Sequence, residues 1–310
     1  MQLITATTPH VPLPPSVATI GCFDGVHRGH SYLIEQVCRA AAQQGLHTAV
    51  VTFPVPPRIV MNPEEAPRLL TSREEKLQLL QQTPVDYCIE LPFTRELSLL
   101  SAHQFMQLLH ERYHIQTLLI GYDHRFGHNR AESFVDYQRY GHELGMEVLR
   151  ADGLAENGIT ISSSLIRSLL SAGNLEQANH YLGYAYRIEG SVVDGYKIGR
   201  SIGFPTANLS PFCAEKLIPA HGVYAVYAEV DGERYPGMLN IGLRPTLNNG
   251  NNVTIEVHLI DFCRNIYHHR MCITFEHPIR AEQKFESLDA LVRQLHADEM
   301  RVRELLTDHT

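Results

Sequence analysis

The chain has 310 residues, 44% of them apolar, which predicts two domains that each bury a core. Lys and Arg number 26 against 34 Asp and Glu, so the formal net charge of −8 disfavours sequence-independent nucleic-acid binding. No apolar stretch is long enough to span a membrane, and the N-terminal residues lack the features of a signal peptide. The six cysteines form no Cys-x-x-Cys pair and are expected to be reduced thiols, so we expect a cytoplasmic protein without a membrane partner.

Residues 17–183 alternate short apolar runs with helical patterns, which predicts an α/β domain over residues 1–183. This alternation predicts a parallel sheet covered by helices on both faces, with ligands bound at the carboxyl ends of its strands. The predicted strands are Val17–Gly21, Thr48–Phe53, Val85–Leu91, Thr117–Ile120 and Met146–Leu149. The predicted helices are Ser31–Gln44, a helix capped by Ser72 and Glu75, a helix from Ser101 to Tyr113, and Phe134–Leu144.

Residues 184–310 have the pattern of short antiparallel strands and one final helix. Val223–Val230 and Tyr235–Ile241 flank Asp231-Gly232, a hairpin signal. Val253–Ile260 alternates apolar and polar residues, and Met271–Phe275 adds another strand. A helix over Leu288–Leu306, capped by Ser287, closes the chain, so this half predicts a small antiparallel β-barrel with a terminal helix.

The segment Gly21–His30 reads Gly-Cys-Phe-Asp-Gly-Val-His-Arg-Gly-His and lies between a predicted strand and a predicted helix. The free N–H groups and positive dipole end of such a helix attract an anion, and both His27 and His30 can donate to phosphate. In a chain with 18 histidines a single one is more often an ordinary surface residue, but the pair at this junction favours phosphate. Zinc is the other alternative, and no carboxylate or Cys at ligand spacing supports it.

A second phosphate-compatible segment is Ile161–Arg167, in which three serines precede a short predicted helix at Leu165–Leu170. Serine hydroxyls and the Arg167 guanidinium at a helix start suit phosphate oxygens. Alone, the segment would be an ordinary Ser-rich helix cap. Together with the His-x-Gly-His segment, it favours a nucleotide site.

The chemistry of the second half centres on Gly199–Leu209, a glycine-bracketed loop whose amides could hold phosphates. Thr206 and Asn208 offer neutral oxygens of the kind that Mg²⁺ accepts. A plain glycine-rich turn is an equal alternative on these residues alone. Glu256 lies on the polar face of a predicted strand, where it is either a solvated residue or a general base for an attacking hydroxyl.

The first half resembles the nucleotidylyltransferase superfamily, whose members hold ATP between a His-x-Gly-His motif and a late Ser/Thr-rich loop. More closely, it resembles the FMN adenylyltransferase module of the bacterial bifunctional riboflavin kinase/FAD synthetase family. The segments that carry this resemblance are Gly21–His30, Leu69-Leu70-Thr71 with Glu75-Lys76-Leu77, Gly121-Tyr122-Asp123 with Phe126-Gly127, and Ile161–Ser163 with Arg167.

For this half the resemblance implies a Rossmann-like α/β fold. It also implies that the phosphate of FMN attacks the α-phosphorus of ATP and pyrophosphate leaves, without a covalent enzyme intermediate. The implied catalytic residues are His27, His30 and Arg167. The implied binding residues are Gly21, Phe23, Asp24, Gly25, Gly29, Asp123, Ser162 and Ser163.

The second half resembles the riboflavin kinase module of the same family, a small β-barrel. The matching segments are Gly199–Asn208, His221–Ala225, Asn240–Gly242 with Arg244-Pro245-Thr246, Glu256–His258 and Arg280–Phe285. The resemblance implies that Thr206 and Asn208 bind Mg²⁺ with ATP and that Glu256 is the base for the 5′-hydroxyl of riboflavin. The implied binding residues are Gly199, Arg200, Gly203, Phe204, Pro205 and Arg280.

Three positions depart from the family pattern. His124 replaces a Phe near the presumed flavin site, Ser164 replaces a Thr and keeps its hydroxyl, and His268 replaces a Gly in a turn. The resemblance spans about residues 19–306 and predicts a bifunctional enzyme with riboflavin, FMN, FAD and ATP as its small-molecule partners and Mg²⁺ as cofactor.

Two alternatives are weaker: an adenylyltransferase whose barrel only binds flavin, and a nucleic-acid binder on a synthetase-like fold. The presence of Thr206, Asn208 and Glu256 argues against the first alternative. The acidic charge balance and absence of Trp argue against the second. The oligomeric state is left open by the sequence.

Overall fold

The computed structural model describes residues 1–8, 12–121, 124–128, 131–195, 198–245 and 251–307. The chain forms two compact units, Met1–Ser163 and Ser164–Thr310. Across the described ranges, none of the helices has the length and apolar character needed to cross a membrane.

The first unit alternates strands and helices, as its sequence predicts. Its strands are β1 (Gln2–Ile4), β2 (Ser16–Ile20), β3 (His47–Thr52), β4 (Tyr87–Glu90), β5 (Ile115–Ile120), β6 (Glu147–Arg150) and the small hairpin β7 (Ala155–Glu156) and β8 (Ile159–Thr160). Its helices are α1 (Arg28–Gln44), α2 (Pro57–Met61), a 3₁₀ turn (Pro63–Glu65), α3 (Arg73–Gln81), α4 (Arg95–Leu99), α5 (Ala102–Tyr113) and α6 (Phe134–Leu144).

Within the described residues of this unit, six parallel strands form a sheet in the order β1-β4-β3-β2-β5-β6, which confirms the predicted sheet. Strand β2 is central and buried along its whole length. Its residues face alternate sides: Val17 packs with Val37 of α1, whereas Ile20 packs with Phe105 and Met106 of α5. Both faces are therefore covered by helices, and the carboxyl ends of the strands are left to form a site.

Several elements of the first unit differ from the sequence-based expectation, and the short elements α2, the 3₁₀ turn, α4, β7 and β8 were not predicted. Strand β1 was not predicted, because three residues carry too little pattern, yet it pairs parallel to β4 at the sheet edge. Helix α1 begins at Arg28 rather than at Ser31. The earlier start follows from His27, whose side chain caps the helix by accepting from the N–H of His30.

The second unit is a β-barrel with helices at both ends of its sequence. Its elements are α7 (Ser163–Ser171), α8 (Leu175–Leu182), β9 (Arg187–Val193), α9 (Ile198–Ser201), β10 (Ala207–Pro211), β11 (Gly222–Val230), β12 (Glu233–Pro245), β13 (Asn251–Leu259), β14 (Arg270–Arg280) and α10 (Leu288–Thr307). In the part of the chain described here, the strands close in the order β10-β13-β12-β11-β14-β9 with antiparallel neighbours, as predicted.

Local sequence explains the barrel's main hairpin and its terminal helix. Asp231 and Gly232 both have positive φ, 54° and 79°, as the predicted tight turn between β11 and β12 requires. Ser287 accepts a hydrogen bond from the N–H of Ala290 at 3.1 Å and so caps α10, as predicted. Val302 of α10 is fully buried in a cluster that includes Val223 of the barrel.

Along the chain, the division between the compact units falls after Ser163, before the predicted domain boundary at residues 183 and 184, because α7 and α8 pack with the barrel. The N–H of Ala220 donates to the carbonyl of Leu170 in α7 at 3.0 Å. The side chain of Asn179 in α8 donates to the carbonyl of Phe275 at 2.9 Å and accepts from the N–H of Tyr186 at 2.8 Å. The boundary between the functional domains stays a prediction.

Candidate active sites

The first candidate site begins at the β2–α1 turn, residues 21–27, at the carboxyl end of the central strand. Three residues of the turn have positive φ: Phe23 at 50°, Gly25 at 84° and Val26 at 35°. Left-handed conformations are costly for residues other than glycine, and they persist only where the surroundings hold them. Phe23 is fully buried and so anchors the turn.

Asp24 connects this turn to the segment before α3. Its carboxylate, 6% exposed, accepts from the backbone N–H of Leu70 at 2.9 Å and from that of Thr71 at 3.0 Å. The Thr71 hydroxyl in turn accepts from the N–H of Gly25 at 3.0 Å. Asp24, which the resemblance places among the binding residues, thus holds two loops together in this structure.

Replacing Asp24 with asparagine removes the charge that strengthens these hydrogen bonds. We expect the first unit to lose about 1–2 kcal/mol of unfolding free energy, with a Tm lower by roughly 2–8 °C. Circular dichroism during heating measures this change. Asp152→Asn, at an exposed position, is the matched control and is expected to melt like the unaltered protein. Equal melting of all three proteins would contradict the role given to Asp24.

His27 and His30 lie together at the start of α1, as predicted. Their rings stack with centroids 3.7 Å apart, and Phe23 lies 5.0 Å from the His30 ring. The N–H of His30 donates to Nδ1 of His27 at 3.3 Å, so a neutral His27 carries its proton on Nε2. Burial, and then the nearby His27, hold the pKa of His30 well below its usual value, so the imidazole is neutral near pH 7.

The serine segment lies beside the same turn. A Cβ on Gly29 would sit 2.9 Å from the carbonyl oxygen of Ile161, so only glycine allows this approach without a shift. The Ser163 hydroxyl donates to the carbonyl of Asp24 at 2.9 Å. The structure therefore brings together the His-x-Gly-His segment and the predicted serines, with Ser162 preceding Ser163 in the same loop.

The remaining predicted residues of this half have separate placements. Gly21 directly follows β2, and its N–H donates to the carbonyl of Val51 at 3.0 Å. Arg167 is half-buried on α7, within the second compact unit. Asp123 lies outside the described residues.

A cavity of about 320 Å³ opens beside the carboxyl ends of β2 and β3. Its wall is mainly apolar and aromatic, and Arg58, Arg125, His124 and His128 also line it. The rest of the wall is formed by Ile20, Cys22, Phe53, Pro57, Met61, Phe93, Leu97, Ser98, Leu100, Phe105, Phe126 and Gly127. Such a lining suits a flat aromatic ligand that carries an anionic group.

No sequence motif marks Phe53, Phe93 or Phe105 as a site residue. The available signal was the position of Phe53, which directly follows β3 and so lies at the ligand-binding edge of a parallel sheet. Phe93 and Phe105 come from a loop and a helix, and only the packing of the chain brings them to the cavity.

The second candidate site lies on neighbouring strands of the barrel. Asn208 of β10 is the register partner of Glu256 of β13. The Thr206 hydroxyl donates to Oε2 of Glu256 at 3.4 Å. Thr206 and Glu256, which are 50 positions apart in sequence, are therefore adjacent in space. With Asn208 they place three oxygen-bearing side chains along one seam between β10 and β13.

The glycine-rich segment before β10 folds tightly against this seam. The N–H of Phe204 donates to the carbonyl of Gly199 at 2.8 Å, and a Cβ on Gly199 would sit 2.1 Å from the carbonyl oxygen of Phe204. Gly203 has a φ of 87°, which favours glycine. Nδ1 of His258 donates to the carbonyl of Pro205 at 2.8 Å, which attaches the segment to β13.

Two cavities lie on either side of Thr206, which lines both. One, of about 340 Å³, is lined by Gly199, Ile202, Phe204, Thr206, Val223, Met238, Asn240, Glu256, His258, Arg280, Glu282, Gln283, Phe285, Leu291 and Leu295. The other, of about 320 Å³, is lined by Val192, Arg200, Pro205, Thr206, Ala207, Val257, Leu259, Phe262, Cys263, Arg264, Asn265, Ile266 and Tyr267. Glu256 faces the first cavity, and Arg200 faces the second.

Arg280 is held rigidly in the wall of the Glu256 cavity. Its Nε donates to Oδ2 of Asp298 at 2.9 Å, and its guanidinium lies 5.5 Å from the ring centre of Phe285. Asp298, on α10, has a side chain only 2% exposed and also accepts from Gln294 at 2.8 Å. Asp298 was not predicted, because a lone acidic residue on a helix carries no sequence signal.

A parallel-sheet unit with a stacked His-x-Gly-His pair, followed by a barrel with a Thr-Asn-Glu seam, defines a bifunctional transferase with a nucleotidyltransferase part and a kinase part. The model of the FAD synthetase family matches residues 11–165, and that of the riboflavin kinase family matches residues 182–306. The chain belongs to the bifunctional riboflavin kinase/FMN adenylyltransferase family.

Relatives match over nearly the full length of the chain. The bifunctional riboflavin kinase/FMN adenylyltransferase of Escherichia coli strain K12 is 38% identical over 93% of this chain and 92% of its own. The protein of the same name from Bacillus subtilis strain 168 is 34% identical over 96% of each chain. A crystal structure of a Streptococcus pneumoniae protein, described as a macrolide-efflux protein, has a TM-score of 0.88 and 30% identity, and covers 98% of this chain and 99% of its own.

Proposed function

We propose that the barrel phosphorylates riboflavin to FMN and that the parallel-sheet unit adenylylates FMN to FAD, with ATP as the donor in both reactions. The family and the two domain models support this pair of activities. The observation that carries the proposal is the contact of Glu256 with Thr206 in the wall of a largely apolar cavity. This contact places the proposed base, Glu256, next to the Thr206 hydroxyl, which is assigned to the phosphates of ATP. Both lie beside a cavity that suits an aromatic substrate.

In the kinase reaction, the 5′-hydroxyl oxygen of riboflavin attacks the γ-phosphorus of ATP, and Glu256 accepts the proton of that hydroxyl. A new O–P bond forms, the bond to the β-phosphate oxygen breaks, and ADP leaves. The ring system lies in the Glu256 cavity near Arg280 and Phe285. ATP lies in the neighbouring cavity, where Arg200 lines the wall and the Gly199–Pro205 segment borders the phosphates.

The donor set of the seam fits Mg²⁺. Thr206 and Asn208 supply neutral oxygens, and the Glu256 carboxylate lies next to them, which matches the oxygen preference of a hard cation. When bound with ATP, the ion would neutralise phosphate charge. Thr206 and Asn208 are the residues proposed to hold it.

In the adenylyl transfer, an oxygen of the FMN phosphate attacks the α-phosphorus of ATP, and pyrophosphate leaves as the Pα–O bond breaks. His27 and His30 at the start of α1 stabilise the negative charge of the leaving group. Ser162, Ser163, Arg167 and the β2–α1 turn are assigned to the nucleotide. Positioning and charge stabilisation suffice, without a covalent intermediate.

The cavity beside β2 and β3 is assigned to FMN. Its aromatic wall suits the flavin ring, and Arg58 and Arg125 provide positive charge for the phosphate. His124, which replaces the usual Phe, lies in this wall with its ring centre 6.2 Å from that of Phe126. The departure from the family pattern therefore falls in the proposed flavin site.

We assign residues 1–183 to the adenylyltransferase domain and residues 184–310 to the kinase domain. Riboflavin, FMN and ATP are the proposed partners, with neither nucleic acid nor membrane. A cytoplasmic location agrees with the six cysteines, all of which are free thiols.

A product assay tests the proposed function. The purified protein is incubated with riboflavin, ATP and Mg²⁺, and riboflavin, FMN and FAD are separated over time. We expect FMN first and FAD afterwards. If riboflavin stays unchanged while supplied FMN becomes FAD, the barrel is a binding module and the role of Glu256 is wrong.

A further inference from the structure

Lys76 is a buried cation that the proposed mechanism does not use. It lies on α3 within the Glu75-Lys76-Leu77 segment and is 4% exposed. Burial lowers its pKa, whereas the nearby buried carboxylate of Glu90 favours the charged form. Arg73 holds that carboxylate through Nε, at 3.1 Å from each oxygen.

The ammonium of Lys76 is directed at the end of β3. It donates to the carbonyl of Phe53 at 2.6 Å, and its Nζ lies 3.5 Å from the Thr52 hydroxyl. The last backbone bond between β3 and β4 is the one from the Leu91 N–H to the Thr52 carbonyl, at 2.9 Å. The Phe53 carbonyl lies one residue beyond this last backbone hydrogen bond. It accepts from the Lys76 side chain instead of from a backbone N–H of the neighbouring strand.

The same cation is linked to the β2–α1 turn. The Thr52 hydroxyl accepts from Lys76 and donates to the carbonyl of Cys22 at 3.3 Å. The side chains of Cys22 and Phe53 line the cavity assigned to FMN. One buried side chain therefore holds the backbone at two points of this cavity's wall.

Burial of an ammonium group costs several kcal/mol before compensation, and an apolar side chain of similar length would pack without that cost. A charge kept buried behind the wall of a cleft despite this cost is a candidate functional group. Its hydrogen bonds to Phe53 and Thr52 place its effect on the cavity wall.

We propose that Lys76 is a positioning residue for FMN in the adenylyl transfer, acting through the Phe53 carbonyl and the Thr52–Cys22 hydrogen bond. The inference rests on the proposed adenylyltransferase function. It deepens that function by assigning a role in substrate binding to a residue that touches neither the ATP motif nor the cavity.

The test compares initial rates of FAD formation from FMN and ATP in the unaltered protein, Lys76→Met and Glu74→Gln. Glu74 is exposed on the same helix, so Glu74→Gln is the matched control and is expected to keep the unaltered kinetics. We expect Lys76→Met to raise the KM for FMN about tenfold or more, since hydrogen bonds to a charged group are lost. The KM for ATP is expected to rise less than the KM for FMN, because the direct hydrogen bond of Lys76 is to Phe53, outside the β2–α1 turn. The rate of riboflavin phosphorylation is expected to stay unchanged.

Thr52→Val provides a second variant that leaves the buried charge in place. It removes the link to Cys22 and is expected to raise the KM for FMN about threefold, with a smaller rise in the KM for ATP, because Cys22 also belongs to the β2–α1 turn. If Lys76→Met does not fold, the KM for FMN of Thr52→Val tests the inference.

Three outcomes would overturn the inference. An unchanged KM for FMN in both variants would overturn this inference and leave the proposed adenylyltransferase function standing. A lower kcat at constant KM for both substrates, in step with a smaller folded fraction, would show a merely structural role. No FAD from the unaltered protein would overturn the proposed function and this inference together.

Discussion

Glu256→Gln is expected to abolish riboflavin phosphorylation while leaving the conversion of FMN to FAD intact. Glutamine has nearly the same shape and can still accept from the Thr206 hydroxyl, which lies 3.4 Å from the carboxylate. It cannot accept the proton of the riboflavin hydroxyl, and a positioned base contributes about 10²–10⁴ in rate. The rate of FMN formation, followed by chromatography of the flavins, measures the effect.

The control for this variant is Glu229→Gln, an exposed position on strand β11 of the same barrel. It removes the same charge from the same unit and is expected to keep both reactions. Loss of both activities in Glu256→Gln would reject two separate sites. Normal phosphorylation in Glu256→Gln would show that the carboxylate is not the base.

His30→Ala is expected to show the converse behaviour. The ring lies at the start of α1 and stacks on His27 at 3.7 Å, so its loss removes one donor to the leaving pyrophosphate and disturbs the other. Removal of one preorganised donor of this kind costs about 10²–10³ in kcat. We expect FAD formation from supplied FMN to fall by that factor, while riboflavin phosphorylation stays normal.

His142→Ala, at an exposed position on α6, is the matched control for His30→Ala and is expected to keep both reactions. The ligand-free His30 is neutral near pH 7, because burial and His27 lower its pKa. Bound phosphate favours the protonated ring, which can then donate from both nitrogens. Normal FAD formation by His30→Ala would end the assignment of this histidine to the leaving group.

Much of the architecture could be predicted because the local patterns are strong and agree with one another. Strand-helix alternation in the first half predicted the parallel sheet. Asp231-Gly232 predicted the hairpin, whose tight turn requires the positive φ that both residues have. Elements with weak local patterns were missed. Strand β1 has only three residues. Strand β9 contains Gly190 and β10 is five residues ending at Pro211, so the pairing of these two strands comes from the closing of the barrel.

The candidate sites divide in the same way. The His-x-Gly-His segment and the Gly199–Leu209 segment are contiguous, so their chemistry is visible in the sequence. The aromatic wall around Phe53, Phe93 and Phe105 comes from separate elements, and nothing in the local sequence connects them. Asp298, which holds Arg280 at 2.9 Å, was missed for the same reason.

By itself, the sequence determined the two fold types, the family and the contiguous phosphate-compatible segments, because these depend on local periodicity and on motifs of neighbouring residues. Only the tertiary structure decided that Glu256 lies beside Thr206 and that Asp24 holds the segment before α3. It also decided that Lys76 holds the carbonyl of Phe53 directly after β3. These contacts join residues far apart in sequence, and they form because burial leaves polar groups that must find partners across the fold.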